Sequence, residues 1–258
     1  MKKWKRQLFL ALSLALTVLC GYGAVSAYLD VTSPPQGKTL EKSEEAPVTP
    51  GDTYIALGDS LTRGVGSAKG QGFVSLVGNR LEKNKTVERF QNLGVSGARI
   101  ENLLSQLEQK EVIRSLEHAK IITVTIGGNN LFNRGEVLKN FSEEAALKSL
   151  KAEIPNLDKV FKTIREKNPD AVVLYMGLYN PFKQSPNGDA FDSIIQQWNT
   201  DARTLGLKYK IDVVDTFNLV TDPKRDLSSD LFHPNDATYQ HIADSMSLVI
   251  DKKIVHKK

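Results

Sequence analysis

Hydrophobic residues along this chain change their spacing repeatedly from residue 53 onward. Short, nearly continuous apolar runs predict strands buried on both faces, and between them apolar residues recur every three or four positions, which is typical of helices that pack by one face. The predicted strands cover residues 53–58, 86–94, 120–128, 171–177 and 210–216. The predicted helices cover residues 73–83, 98–118, 142–169, 191–206 and 234–254, and Pro155 predicts a kink or a split in the third of them.

This alternation of strand and helix predicts an α/β domain, in which one mostly parallel, five-stranded sheet carries helices on both faces. In a sheet of this kind, binding and catalytic residues collect beyond the carboxyl ends of the strands. We therefore expect the functional residues in the loops that follow the predicted strands.

The first 27 residues have the pattern of a segment that directs export. Four basic residues precede residue 7, residues 7–29 carry no charge, and small residues up to Ala27 fit a signal peptidase site. A retained membrane anchor is the alternative, because about 20 apolar residues suffice to span a bilayer. Either way the remainder is expected outside the cytoplasm, secreted or tethered to the outer face of the cell membrane. Lipid attachment at Cys20 is disfavoured, because Leu19 is larger than lipoprotein processing usually accepts.

The boundary of the folded domain follows from composition. Residues 28–52 are rich in Pro, Ser, Thr and charged residues, which predicts a disordered linker. Residues 53–258 are expected to form the domain, and we expect it to be a monomer. With 40% hydrophobic and 25% charged residues, the chain has an ordinary globular composition.

Charge and cysteine content exclude several classes of function. The formal net charge is +4, but four of the 34 basic residues precede residue 7, and the other 30 balance the 30 acidic residues. Because no dense basic stripe remains, nucleic acid is not an expected partner. Cys20 is the only cysteine, so no disulfide is expected, and the scattered histidines predict neither a metal site nor a cofactor.

A serine, a histidine and an aspartate make the first candidate for chemistry. Ser60 directly follows the first predicted strand, where an ordinary turn is the alternative to a nucleophile. A serine hydroxyl reacts only when a base and an orienting group assist it. His233 is the natural base, and Asp230, three residues earlier, can reach the other nitrogen of its ring. Asp215, at the end of the fifth predicted strand, is the competing carboxylate.

Acyl transfer also needs hydrogen-bond donors for the oxyanion of the tetrahedral intermediate. Ser60 and Gly94 can each offer a backbone N–H, and Asn129 can offer a side-chain amide. Each of these positions alone is more often part of a plain turn. Their arrival in one order, at the ends of successive predicted strands, favours an acyl-transfer site.

From residue 53 to about residue 250 the chain resembles the GDSL, or SGNH, hydrolase family of serine esterases and lipases. The stretch GDSLTRG matches the block that carries the nucleophile, NLGVSG and GGNN match the blocks that carry further oxyanion donors, and DLFHP matches the block with the aspartate and histidine. GLYNPF and WNTDAR are also similar to secreted bacterial members. The resemblance implies a flavodoxin-like three-layer α/β/α sandwich, with Ser60, Asp230 and His233 as the triad and Ser60, Gly94 and Asn129 as the oxyanion hole.

The third block departs from the family pattern. It commonly reads Gly-x-Asn-Asp, and here Asn130 occupies the place of the aspartate. The amide of Asn129 is retained, so the departure concerns the local support of this loop and leaves the oxyanion donor in place.

Substrate contacts are expected from loops at the same edge of the sheet. Residues 178–191 form a long connection after the fourth predicted strand, and we expect it to lie over the site. Its aromatic residues can wall an acyl pocket or, alternatively, pack into the core. The residues expected to contact substrate are Leu131, Phe132, Tyr179, Phe182 and Phe232.

The sequence therefore predicts an exported serine hydrolase that cleaves a small-molecule or lipid ester through an acyl-enzyme. A carbohydrate esterase that removes acetyl groups would use the same residues and is the first alternative. An inactive binding module on the same fold is the second, and the presence of all five expected site residues argues against it.

Overall fold

A computed structural model describes residues 52–132 and 141–255. The interpretation of residues 1–27 as a signal peptide or anchor, and nearly all of the predicted linker, lie outside these residues. The strands are β1 (Thr53–Gly58), β2 (Arg89–Gly94), β3 (Ala119–Thr125), β4 (Val172–Met176) and β5 (Ile211–Val214). The helices are α1 (Ser60–Arg63), α2 (Phe73–Lys83), α3 (Ile100–Gln106), α4 (Lys110–Glu117), α5 (Gly128–Phe132), α6 (Glu143–Lys167), α7 (Gly188–Tyr209), α8 (Pro223–Asp226) and α9 (Asp236–Val255).

Within the described residues, the five strands form one sheet in the order β2-β1-β3-β4-β5, and every neighbouring pair is parallel. This is the flavodoxin-like strand order, in which the direction of winding reverses at β1 and β3. The register pairs Gly58 with both Gly94 and Thr125, so the carboxyl ends of β1, β2 and β3 lie side by side. The predicted α/β class and three-layer architecture are confirmed, and the sheet is wholly parallel.

Alternate residues of the central strands bury their side chains against opposite helical layers. Ile55 and Leu57 belong to a core that includes α3, α4, α6 and α7, whereas Tyr54 and Ala56 belong to a core that includes α2 and α9. All four side chains are fully buried. This two-sided burial explains why the strands have continuous apolar sequences instead of alternating ones.

The helix predicted over residues 98–118 is wrong as a single element, because the structure has two helices, α3 and α4. Leu103 and Leu107 are one helical turn apart and both are buried, but the next buried position is Val112. A step of five residues in one continuous helix would turn Val112 about 140° away from Leu107. The tight turn that ends at Gln109 reorients the chain, so that Val112 and Leu116 face the core as Leu107 does.

Pro155 does not split the helix in which it lies. Helix α6 runs without interruption from Glu143 to Lys167. Pro155 lies on the exposed face, and so does Lys151, whose carbonyl loses its helical donor to the proline. Because water can satisfy that carbonyl, the helix continues while Leu150 and Leu157 bury the opposite face.

Helix α7 begins at Gly188, earlier than the predicted residue 191. The connection from β4 is therefore limited to residues 177–187. The connection expected to lie over the site, residues 178–191, is thus shorter than predicted.

Candidate active site

Ser60 is the first residue of α1, directly after the turn that ends β1. Gly58 makes this turn with a φ of 134°, and a side chain there would overlap the carbonyl of Thr125. Asp59 caps the helix by accepting the Leu61 N–H at 3.0 Å. The short strand-to-helix turn thus presents Ser60 at the carboxyl edge of the sheet, where its backbone N–H has no partner within the helix.

His233 connects Ser60 to Asp230. The Nε2 of His233 lies 2.8 Å from the Oγ of Ser60, and its Nδ1 lies 2.6 Å from the Oδ2 of Asp230. When Nδ1 carries the ring proton and donates a hydrogen bond to Asp230, Nε2 is free to accept the Ser60 hydroxyl proton. This arrangement can activate the hydroxyl as a nucleophile.

The loop before α9 fixes Asp230 in its ionised form. Its Oδ1 accepts the backbone N–H groups of Phe232 and His233, both at 2.9 Å, and the hydroxyl of Ser228 at 2.8 Å. Partial burial opposes ionisation, but the hydrogen bonds from His233 and from these groups outweigh it and hold the pKa of the Asp230 carboxyl well below its usual range. The ionised carboxylate is therefore favoured as the group that orients the imidazole.

Asp215, the competing carboxylate, has a different role. Its Oδ1 accepts the Phe217 N–H at 2.9 Å, and its Oδ2 lies 3.4 Å from Arg203. It closes the turn after β5.

Asn129 lies in α5, four residues after the end of β3, and is only 7% exposed. Its Nδ2 donates to the carbonyl of Ala98 at 2.9 Å. A side-chain amide has two N–H groups, so this bond orients the nitrogen and leaves the second N–H for another acceptor. Asn129 lines a pocket together with Ser60 and His233, where a developing oxyanion is the acceptor to be expected.

Asn130 has a supporting contact on the same loop. Its Oδ1 accepts the Ile100 N–H at 3.0 Å and its Nδ2 donates to Glu101 Oε2 at 3.2 Å. The two adjacent asparagines therefore hold the start of α3, with Asn129 bound to Ala98 and Asn130 bound to the first helical turn.

The structure does not support Gly94 as an oxyanion donor. Its N–H already donates to the Oδ1 of Asn92 at 3.0 Å, and a side chain at Gly94 would press on Thr62 and Arg63. This glycine is needed for the close approach of β2 to α1.

Gly97, the second glycine of that stretch, lies in the pocket wall beside Ser60 and Asn129. It has a φ of 76° in a turn closed by the Ala98 N–H and the Val95 carbonyl at 3.0 Å. In the described part of the chain, the Gly97 N–H makes no hydrogen bond. It is therefore a better placed backbone donor than Gly94.

The pocket over the nucleophile has a volume of about 510 Å³, which suits a small organic ligand. Its lining residues are Ser60, Val65, Ser96, Gly97, Asn129, Phe232 and His233. Sequence analysis missed Val65, Ser96 and Gly97, which lie in loops with no chemical signature of their own, although each is close in sequence to a recognised motif.

Three of the predicted substrate contacts lie in the core. Leu131, Phe132 and Phe182 are at most 8% exposed, and the rings of Phe132 and Phe182 pack edge to face at 5.3 Å. None of the three lines the pocket among the described residues, so their assignment as substrate contacts is corrected. The aromatic cluster instead holds the connection after β4, residues 177–187, against the core.

Tyr179 and Phe232 do border the site. The Tyr179 hydroxyl donates to the Phe232 carbonyl at 2.7 Å. Both residues line a cavity of about 30 Å³ beside Ser60, and Phe232 also lines the larger pocket. Both residues therefore border the site, and their contact with substrate stays a prediction.

The described residues contain neither a candidate metal site nor a candidate membrane-spanning helix. No group of three or more His, Cys, Asp or Glu side chains there can hold a metal ion. Among the same residues, no helix is both long and apolar enough to span a bilayer.

Comparisons with known proteins identify the family to which this sequence is similar. Residues 56–241 match the family described as GDSL-like lipase/acylhydrolase. The chain is 30% identical over 245 residues to the uncharacterized protein YpmR of Bacillus subtilis (strain 168), covering 91% of this chain and 94% of that protein. The spore germination lipase LipC of Bacillus licheniformis is 27% identical over 201 residues, covering 75% and 93%. Among solved structures, the lipase Lip_vut3 from a goat rumen metagenome superposes with a TM-score of 0.69 at 28% identity, covering 76% of this chain and 96% of that one.

Proposed function

Because this chain belongs to the GDSL-like lipase/acylhydrolase family, a family of ester hydrolases, we propose that it cleaves carboxylic esters with Ser60 as the nucleophile, His233 as the base and Asp230 as the orienting carboxylate. The observation that carries the proposal is the unbroken chain of hydrogen bonds from Asp230 through His233 to Ser60, at 2.6 and 2.8 Å. Ser60, at the end of this series of hydrogen bonds, lines a pocket whose volume suits a small organic ligand.

In the first half of the reaction, Ser60 Oγ attacks the ester carbonyl carbon while its proton passes to His233 Nε2. The imidazolium that forms is stabilised by Asp230, whose carboxylate accepts the Nδ1–H. The tetrahedral intermediate then collapses, the bond between the carbonyl carbon and the alcohol oxygen breaks, and Nε2 gives its proton to the departing alcohol. An acyl group remains on Ser60.

In the second half, water takes the place of the alcohol. His233 removes a proton from the water as its oxygen attacks the acyl carbon. The bond from that carbon to Ser60 Oγ breaks, the proton returns to Ser60, and the carboxylic acid leaves. One histidine, His233, carries out every proton transfer of the cycle, so the cycle requires no cofactor.

We assign the oxyanion donors to the N–H groups of Ser60 and Gly97 and the Nδ2 of Asn129. All three residues line the same pocket, and hydrogen bonds to Ala98 and across the turn at residues 95–98 hold the last two in place. Donors that are fixed in advance stabilise charge at the moment it develops, which is commonly the largest contribution to catalysis of acyl transfer.

We also propose that the enzyme lies outside the cytoplasm. The basic start, uncharged run and small residues before residue 28 support export, either by a cleaved signal peptide or with a retained anchor. Fractionation of expressing cells with N-terminal sequencing checks this. A mature chain that begins at Tyr28 shows cleavage, an intact membrane-bound chain shows an anchor, and an intact cytoplasmic chain contradicts export.

Labelling with a fluorophosphonate probe tests the chemistry directly, since only an activated serine reacts. We expect labelling of the wild-type chain on Ser60, none of Ser60→Ala, and strongly slowed labelling of His233→Ala. Hydrolysis of 4-nitrophenyl acetate should be lost in the same variants. A folded wild-type chain that neither labels nor hydrolyses any ester would refute the proposal and favour a binding module.

A further inference from the structure

Two spaces of very different size adjoin Ser60. The larger is the pocket of about 510 Å³ that His233 lines. The smaller is the cavity of about 30 Å³, which lies on the side of Asp59, Leu61 and Gly128 and which His233 does not line. Ser60, Asn129 and Phe232 border both spaces.

The proton transfers of the proposed reaction decide which part of an ester enters each space. His233 must deliver its proton to the alcohol oxygen, so the alcohol portion has to lie on the histidine side, in the larger pocket. The carbonyl carbon lies at Ser60, with its oxygen towards Asn129. The acyl portion extends from this carbon away from the alcohol portion, and the small cavity is the space available to it.

The size of that cavity restricts the acyl portion. A volume of about 30 Å³ gives room for roughly two water molecules, which suits the methyl group of an acetyl ester better than a long alkyl chain. The remaining lining residues are Leu178, Tyr179 and Pro181, and together with Leu61 they bound the space largely by apolar surface.

Hydrogen bonds make this wall resistant to displacement. The side chain of Asn199 accepts the Leu178 N–H and donates to the Leu178 carbonyl, both at 2.8 Å. Tyr179, next along the wall, donates its hydroxyl to the Phe232 carbonyl at 2.7 Å. All of these residues except Phe232 are at least nine-tenths buried. A longer acyl chain would have to displace buried, hydrogen-bonded backbone.

We propose that this enzyme is selective for acetyl esters of a larger, hydroxyl-bearing alcohol, with the cavity beside Leu178 as the acyl site. The inference rests on the proposed function and narrows it. The alcohol portion lies in the larger pocket, whose wall includes neutral polar groups beside His233. The polar groups there, Ser96 and Asn129, suit hydroxyl-bearing alcohols.

A panel of 4-nitrophenyl esters with acetyl, butyryl and octanoyl groups tests the acyl site on the full-length chain. We expect kcat/KM to fall about ten-fold or more from acetate to butyrate, because extra methylene groups would overpack the cavity. Labelling of Ser60 by a fluorophosphonate with a small alkyl group is measured alongside. Octanoate hydrolysed as fast as acetate, with labelling intact, overturns the acetyl assignment alone. Loss of all hydrolysis and labelling overturns the proposed function itself.

Variants of the two walls make the test specific. Leu178→Ala should raise the ratio of butyrate to acetate kcat/KM about ten-fold, because it enlarges the acyl cavity. Val65→Ala is the matched control, since Val65 lines only the larger pocket, and it should leave that ratio unchanged while altering the preference among acetates of different alcohols. If Leu178→Ala does not fold, Leu61→Ala examines the same cavity from α1. Equal ratios in wild type and in a folded cavity variant would contradict the assignment.

Discussion

Gly66 lies directly against His233. A Cβ built on Gly66 would stand 2.7 Å from the Cβ of His233 and 2.5 Å from the carbonyl oxygen of Pro234. The Gly66 φ of 98° also belongs to the region that favours glycine. The loop that follows the nucleophile thus packs without a side chain against the loop that supplies the base, and the neighbouring Val65 carbonyl accepts the Tyr239 hydroxyl from α9.

Gly66→Ala should therefore displace His233 and lower kcat by about 10²-fold, since a shift of about 1 Å in a catalytic group can have an effect of this size. Gly70→Ala is the matched control. Gly70 lies in the same loop with a φ of 66°, but nothing lies within 4 Å of an added Cβ. Both variants should melt at a lower temperature than wild type, and only Gly66→Ala should lose kcat. Equal losses of kcat in the two would show that backbone strain, and not contact with His233, is responsible.

Ser60 and His233 should act as one unit, because the hydroxyl is activated only through the 2.8 Å bond to the imidazole. Ser60→Ala and His233→Ala should each lower kcat by about 10⁴-fold or more, and the double variant should be little worse than either. Steady-state kinetics on the four proteins decide this. Losses that multiply in the double variant would mean that the two side chains contribute independently.

Much of the fold could be predicted because burial on both faces of a parallel sheet leaves continuous apolar runs. Helix α2 matches its predicted bounds, whereas β2, an edge strand, begins three residues later than expected. The break between α3 and α4 followed from a five-residue step in the apolar spacing, a signal present in the sequence but weak beside the surrounding helical pattern. The buried aromatic residues Phe132 and Phe182 were misjudged because hydrophobicity alone does not distinguish a pocket wall from a core.

The site could be predicted as far as its chemistry depends on residue type and chain order. Ser60, Asp230 and His233 have side chains whose roles follow from their chemistry, and the structure brings them within hydrogen-bond distance. A backbone donor has no such signature. Gly94 and Gly97 are three residues apart. Only the hydrogen bond that the Gly94 N–H donates to Asn92 Oδ1 shows that this N–H already has an acceptor.

Asp59 provides a prediction about pH, because its carboxyl is buried beside the nucleophile. Burial raises the pKa of Asp59 above its ordinary value, although the hydrogen bonds from Thr125 and the Leu61 N–H work in the opposite direction. A raised folded-state pKa means that Asp59 favours folding below pH 4 or so and that this contribution is lost as the pH rises through the folded pKa. Asp59→Asn is neutral at every pH, so its melting temperature relative to wild type should increase from pH 4 to pH 8.

Thermal melts of Asp59→Asn, wild type and Asp215→Asn across this range check the sign. Asp215→Asn removes an exposed carboxyl and controls for the change in net charge. A difference between Asp59→Asn and wild type that stays constant, or that shrinks with rising pH, would contradict the prediction.

Asn129 and Asn130 should separate catalysis from stability. Asn129→Ala removes a donor to the oxyanion, and we expect kcat to fall about 10²–10³-fold with little change in KM. Asn130→Ala leaves the Ile100 N–H without its acceptor, so the free energy of unfolding should fall by about 1–3 kcal/mol while kcat changes less. Kinetics and melting temperatures on both variants are the measurements. A larger loss of kcat in Asn130→Ala with an unchanged melting temperature would reverse the two roles.

The contact between Asn130 and Glu101 gives a reason for an asparagine at residue 130, where the family pattern considered in the sequence analysis implies aspartate. Asn130→Asp retains an acceptor for the Ile100 N–H but replaces the 3.2 Å bond from Nδ2 to Glu101 with two facing carboxylates. Like charges at that distance repel, so Asn130→Asp should lower the melting temperature at pH 7 in spite of restoring the family residue. Glu101→Gln in the same chain supplies a side-chain amide donor and should recover most of the loss, whereas Glu101→Gln alone should change little. Additive effects of the two substitutions in this double-mutant cycle would show that Glu101 and Asn130 are not coupled, and the substitution at residue 130 would then need another explanation.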